Sequence, residues 1–316
     1  MNNQFETPIL FLIFNRPDTT QKVFNVIKQI KPRYLFVAAD GPRLDKPGEN
    51  EKCLETRNII KQIDWDCELK TLFREKNLGC RIAVSQGITW FFDNVEEGII
   101  LEDDCLPDLS FFPYCEELLR TYKNEDKIFL IGGNNFQNGI ERGNGSFYFS
   151  HYAHIWGWAS WRRAWEKYDL EMNDLHETFA SGKLDHVFQS NVEKKYWENI
   201  FTQTRLKKID TWDYQWTYAI WKNNGLAITP NTNLVINLGL VNNNSTRNFL
   251  KDGFREKMIL DSIELPLVYP SVKLNGEADQ YTFENRYAHS YKRVSRIVKE
   301  NGILTTLKYL LNRAFR

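Results

Sequence analysis

An α/β fold with a mostly parallel central sheet flanked by helices is predicted for this chain by three observations. Apolar runs of strand length alternate with amphipathic stretches of helical period through the N-terminal third. The runs entering Asn15-Arg16 and Glu102-Asp103-Asp104 are apolar on both faces, as strands buried between two helical layers must be. Each of the first four ends in polar residues, namely Asn15-Arg16, Asp40-Gly41, Asn77 and Glu102-Asp103-Asp104. Four polar ends on one sheet edge make a nucleotide-sized site, because ligands of open α/β sheets gather beyond the carboxyl ends of the strands.

Taken in order, Pro8-Ile9-Leu10-Phe11-Leu12-Ile13-Phe14 is a continuous apolar run and reads as a central strand. Asn15-Arg16-Pro17-Asp18 closes it, and Asp18 or Thr19 is placed to cap a helix running to about Ile30. Tyr34 to Ala39 is a second strand, Glu49 to Ile63 a helix and Glu68 to Arg74 a third strand. Asn77-Leu78-Gly79 turns into an amphipathic helix from Arg81 to Asp93, followed by Gly98-Ile99-Ile100-Leu101, the strand that enters the acids. Ser110 to Tyr122 reads as a helix and Lys127 to Ile131 as a strand. Residues 134–150, rich in Asn and Gly, read as a loop or irregular hairpin. His151 to Trp165 is the densest aromatic cluster, residues 170–206 read as helices with a charged face, and a helix begins near Tyr214. Asn231 to Asn244 reads as strand and loop.

Composition sets bounds on function. Lys+Arg and Asp+Glu are both 41, so no global basic field invites nucleic acid. Ten Trp suit flat ligands such as sugars, or equally a packed core. Five scattered cysteines with no CxxC pair argue against a disulfide framework or a zinc site and fit a reduced, cytoplasmic protein. No signal peptide is read before the first strand, and no apolar run reaches the ~20 residues that span a bilayer. From about Glu284 the chain turns basic, and Ile303, Leu304, Leu307, Leu310 and Leu311 recur at helical spacing. That tail is expected to lie on an anionic membrane surface, or to dock on its own domain or a second subunit.

The chemistry centres on the acids. Three carboxylates at a strand end repel one another, and a divalent cation relieves the repulsion. Oxygen-only ligands suit Mg²⁺ or Mn²⁺, which take substrate phosphates and water as further ligands. A solvated acidic turn is the competing reading of the same residues. The first strand lacks a following GxGxxG, and no Walker pattern is present.

Over roughly residues 8–240 the chain resembles the GT-A glycosyltransferases, in the branch containing N-acetylglucosaminyltransferase I and its bacterial relatives. The anchors are Phe14-Asn15-Arg16, Asp40-Gly41-Pro42-Arg43, Glu102-Asp103-Asp104 with Pro107-Asp108-Leu109-Ser110-Phe111-Phe112, Gly157-Trp158 with Trp165, and Trp212-Asp213. The resemblance implies a Rossmann-like GT-A sheet, a nucleotide-diphosphate sugar donor that is usually UDP-linked, and Mn²⁺ or Mg²⁺. It implies Asp104 as direct metal ligand, Asp103 on the ribose side, Glu102 facing the sugar, and Asp40 near the base. Asn15, Arg16 and Arg43 are expected in the nucleotide cleft. Arg81, at a helix start, is expected to meet the diphosphate through charge and the helix dipole, on physical grounds and not by motif.

Glycosyl transfer also needs a carboxylate to take the proton of the attacking hydroxyl. Asp213 is the candidate by the Trp-Asp likeness, with Asp210 as fallback; the alternative is that Asp213 caps the following helix. One base without a nucleophile implies a single displacement with inversion. Trp156, Trp158 and Asn135 are candidate contacts to a glycan or glycolipid acceptor, though packing or a turn accounts for each equally. His151 and His154 lack a third metal ligand nearby and read as structural or acceptor-binding. The chain divides into a GT-A domain over residues 1–250, with 1–108 for the nucleotide and 109–250 for the acceptor, and an extension over 251–316. A bacterial enzyme of surface polysaccharide or lipopolysaccharide synthesis fits these features. The rivals are a sugar-1-phosphate nucleotidyltransferase and a non-catalytic glycan- or nucleotide-sugar-binding protein.

Overall fold

The computed structural model describes residues 4–241 and 259–288. The first apolar run forms β1 (Ile9–Ile13), and α1 (Pro17–Ile30) follows at once. Neither Asp18 nor Thr19 caps that helix. Pro17 opens it, since its missing N–H is one that a first turn leaves unbonded anyway. Then come β2 (Tyr34–Ala39), α2 (Glu49–Asn58), a 3₁₀ turn (Ile59–Gln62), β3 (Glu68–Phe73), α3 (Cys80–Asn94) and β4 (Glu97–Glu102). The helix expected to reach Ile63 thus tightens to 3₁₀ after Asn58. The second half runs β5 (Cys105–Pro107), α4 (Phe111–Thr121), β6 (Ile128–Gly132), β7 (Phe147–Ser150), β8 (Trp158–Trp161) and α5 (Arg162–Trp165). It continues with α6 (Leu175–Ala180), α7 (Asn191–Arg205), α8 (Asp213–Lys222), β9 (Leu226–Pro230), β10 (Val235–Asn237) and α9 (Leu238–Val241). Finally α10 (Gly276–Thr282) runs into a π-helical turn (Phe283–Tyr287).

The large sheet has the order β3-β2-β1-β4-β8-β6-β9-β7. Strands β1 to β4 are mutually parallel, with β2 on one side of β1 and β4 on the other. That reversal of strand order opens a crevice at the carboxyl ends of β1 and β4, the switch point where open α/β sheets bind ligands. Beyond β4 the sheet is mixed, because β8 enters antiparallel to both β4 and β6 while β9 lies parallel to β6. The expected loop at 134–150 therefore ends in strand β7, and the aromatic cluster contains strand β8. A separate ribbon of β5 and β10 pins the chain just beyond the acids.

Apart from the exposed edge strand β3, both sheet faces are buried, with alternate residues divided between two cores. Ile9, Phe11, Val37 and Leu101 pack on one side with Phe111, Phe112 and Leu118 of α4. Leu10, Phe36 and Ile100 pack on the other with Phe91 of α3 and a tryptophan layer. In that layer Trp158 stacks on Trp212 at 5.8 Å, and Trp165 meets Trp216 at 5.0 Å. Much of the tryptophan content is therefore core. No helix among the described residues is long and apolar enough to cross a membrane.

Candidate active site

Strand β4 delivers Glu102, and the turn after it delivers Asp103 and Asp104 at the mouth of the crevice. The turn after β1 meets them there. Asp103 accepts the Phe14 N–H at 3.0 Å and pairs with Arg16 at 3.2 Å, and Arg16 also pairs with Asp104. Asp103 and Asp104 are buried, whereas the Arg16 side chain is half exposed. Burial, augmented by Asp104 and Asp103, raises the Glu102 carboxyl to about 8. Burial raises Asp103 to about 7 against the opposing pull of Arg16. Asp103 and Asp104 thus share one guanidinium, with Glu102 near enough to add its charge. The surplus negative charge in a desolvated crevice is what a cationic partner would satisfy. Among the described residues no group of three His, Cys, Asp or Glu forms a metal cage. The donor set still fits Mg²⁺ or Mn²⁺ held by Asp104, since such ions commonly take one or two carboxylates and draw other ligands from phosphate and water.

Asn15 and Arg43 are brought together by a residue that sequence reasoning missed. The Glu49 carboxylate accepts from the Asn15 amide at 2.8 Å and from Arg43 Nε at 3.0 Å. Glu49 heads α2 as an ordinary first-turn acid, so nothing in its local sequence marks it. Asp40 departs from expectation. Its carboxylate accepts the Gly41, Leu78 and Gly79 N–H groups and the Asn77 amide, so it builds the loop and has no capacity left for a base. Arg81 departs too. Its guanidinium is buried and committed to Glu171 at 2.8 Å and to the Leu170 carbonyl, tying α3 to a distant loop instead of reaching for phosphate.

Asp213 is the first residue of α8, after Trp212 at the N-cap. Its carboxylate accepts the Thr211 hydroxyl, so it does not cap the helix. It lies near enough to Glu102 for the two charges to interact. Asp210 instead accepts the Arg81 N–H at the start of α3. Asp213 shares a pocket with Asn134, His154, Trp156 and Arg286.

The acceptor candidates part company there. Trp156 lines the pocket, half-buried. Trp158 is wholly buried among Trp165, Trp212 and Trp216 and has no face for a sugar. Gly157 divides the two: its φ of 62° turns the chain, and a Cβ there would lie 2.7 Å from Val235. Asn135 is also structural, donating to the Pro230 carbonyl at 2.7 Å and accepting the Gln137 N–H. His151 pairs with Asp279 at 3.2 Å. Arg286, counted in sequence among the basic residues of the tail, sits over the Phe136 ring at 3.5 Å. It arrives because Asp279 of α10 accepts the Ser150 hydroxyl and the His151 N–H, anchoring α10 at the end of β7. Most of the basic tail, residues 289–316, lies outside the described residues.

Neither a family model nor a curated protein sequence matches the chain. Among the solved structures similar to it at low level are the following three. HddC from Yersinia pseudotuberculosis shares 10% identity over 51% of this chain and 80% of its own, with a TM-score of 0.33. The 4-diphosphocytidyl-2C-methyl-D-erythritol synthase of Anaerococcus prevotii DSM 20548 shares 8% over 58% and 80%, with a TM-score of 0.32. An apo UDP-glucose pyrophosphorylase shares 10% over 70% and 90%, also with a TM-score of 0.32. At such scores the likeness carries no argument about activity. What stands is the sheet itself, a Rossmann-like α/β architecture with its polar strand ends converged at the switch point.

Proposed function

We propose that the chain is an enzyme of nucleotide-sugar chemistry: a glycosyltransferase moving a sugar from a nucleotide-diphosphate donor, UDP-linked by resemblance, to a glycan or glycolipid hydroxyl. The observation that carries this reading is the meeting of Arg16 with Asp103 and Asp104 at the switch point, with Asp213 near enough to Glu102 for their charges to interact. Arg16 offers positive charge to a departing diphosphate, and Asp104 would hold Mg²⁺ or Mn²⁺ there. When bound, that ion supplies further neutralisation of the leaving group. Asp213 takes the acceptor proton as the acceptor oxygen bonds to the anomeric carbon and the bond from that carbon to the diphosphate oxygen breaks. A single displacement of this kind inverts the anomeric centre. Surface polysaccharide or lipopolysaccharide synthesis on the cytoplasmic side is the setting proposed for it, with peripheral membrane contact through the basic tail.

The second reading is a sugar-1-phosphate nucleotidyltransferase. Two of the structural neighbours, a diphosphocytidyl-methylerythritol synthase and a UDP-glucose pyrophosphorylase, are named for chemistry nearer to it than to glycosyl transfer. Against it, α1 opens at Pro17 directly after Arg16, leaving no Gly-rich loop to cradle a triphosphate. One experiment separates the two. The chain is incubated with Mn²⁺ and either a panel of UDP-sugars plus acceptors or UTP plus sugar 1-phosphates. Release of UDP that depends on acceptor supports the transferase; release of pyrophosphate supports the nucleotidyltransferase. Metal-dependent UDP binding without either product leaves a binding protein.

A further inference from the structure

The pocket beside Asp213 has more polar capacity than the chain itself uses. Asn134 is wholly buried, and neither atom of its amide has a partner among the described residues. Nε2 of buried His154 has none either. Burial, helped by the nearby Arg286, pushes His154 well below its ordinary range, so near neutral pH it offers a hydrogen bond and no charge. Arg286 is the one cation among the described residues lining the pocket, and no carboxylate there pairs with it. Its guanidinium rests on Phe136 at 3.5 Å, with Trp156 at 5.3 Å and Tyr287 at 5.5 Å. Aromatic faces shed water from the guanidinium, which strengthens any pair it makes with an oxyanion. Buried amide atoms without partners are costly, and a ligand that completes them recovers that cost.

We propose that this pocket binds an oxyanion carried by the acceptor, a sugar bearing a carboxylate or a phosphate, held by Arg286 with Asn134 and His154 as hydrogen-bonding partners. That the ligand is the acceptor rests on the transferase reading; the anion site does not. Asp213 then stands beside the hydroxyl of a sugar whose acidic group fixes its orientation. The competing role for Arg286 is a counter-charge for Asp213, which would treat neutral and acidic sugars alike.

Saturation-transfer NMR on the full chain, with glucose, glucuronate and glucose 6-phosphate as probes, tests the proposal. Wild type should prefer at least one acid over glucose by about tenfold, and the two acids tell carboxylate from phosphate. Arg286→Gln should abolish the preference, while Arg286→Lys, which keeps the charge and loses the planar fork, should retain part of it. If Arg286→Gln does not fold, wild type alone decides, because a preference made by charge shrinks from low to high salt. Equal binding of all three probes, binding of none, or a preference indifferent to Arg286→Gln or to salt overturns the proposal. A UDP-induced thermal shift with Mn²⁺ on the same samples tests the donor site separately. Acid preference without that shift keeps the anion site and removes the transferase reading, and the shift without acid preference does the reverse.

Discussion

Two carboxylates at the candidate site carry different work and should fail differently. Asp213→Asn keeps size and its place at the start of α8 while removing the proton acceptor. It should spare donor binding and lower transfer by about 10²–10⁴-fold. Full transfer in that variant would falsify the assignment of the base. Asp104→Ala removes the proposed cation ligand, so the thermal shift that a UDP-sugar produces with Mn²⁺ should vanish. A ligand at 100 times its Kd stabilises by about 2.7 kcal/mol, so the wild-type shift is large enough to see. The tryptophans divide in the same way. Trp158→Ala should cost about 3–5 kcal/mol in urea unfolding, as a fully buried ring leaves a cavity among three other indoles. Trp156→Ala should cost less stability than Trp158→Ala, since Trp156 is only half-buried, and raise the acceptor KM, because it lines the pocket.

At the scale of elements, the site depends on how α10 is anchored. Asp279 is nearly fully buried, accepting at 2.5 Å from Ser150 and at 3.0 Å from the His151 N–H. Asp279→Ala would leave these donors unmet and should cost about 3 kcal/mol in urea unfolding. The loss should extend to function, because the π-helical turn carrying Arg286 follows directly from α10. Hydrogen exchange over residues 276–287 should quicken in that variant ahead of the sheet. Exchange that quickens equally in β1 and β4 would show instead that α10 is no separate unit. Near this anchor, Gln137 donates to the Ala278 carbonyl and the Thr282 hydroxyl, so the loop after β6 and α10 hold each other.

For the whole molecule, the crevice acids predict how stability varies with pH. Burial and mutual repulsion hold Glu102 near 8 and Asp103 near 7, whereas the unfolded chain ionises both near the usual carboxylate value of about 4. Between those limits the folded state binds more protons than the unfolded state, so these groups make stability fall as pH rises. His154 acts oppositely below about 6.5, its ordinary value, because it is buried neutral. The clean window is therefore about pH 7 to 8. Without divalent ions the Tm should fall across it, and fall less in Glu102→Gln. A wild-type Tm that rises from pH 7 to 8, or a Glu102→Gln variant with the same slope, would refute the burdened crevice. Added Mn²⁺ should stabilise more at pH 8 than at pH 7, since it binds the ionised form.

The parts of the protein that local pattern determines were legible before any coordinates. Continuous apolar runs and their polar ends marked β1, β2 and β4, and the topology of parallel units placed Asn15, Arg16 and Glu102 to Asp104 at one edge, where they are found. Such features follow from period and burial within a few residues, and sequence displays both directly. Long-range contacts decided the rest. Strand β8 enters antiparallel between β4 and β6, which no pattern within Trp158–Trp161 foretells. Trp156 and Trp158 look alike in sequence, yet the positive φ of Gly157 sends one to the pocket and the other to the core. Asp40 and Arg81 carry the right chemistry for a nucleotide, but neighbours distant in sequence consume it. Arg286 reaches Asp213's pocket from the far end of the chain through one buried aspartate. Residue type reports what a side chain can do, and only its folded neighbours decide which of those capacities remains free.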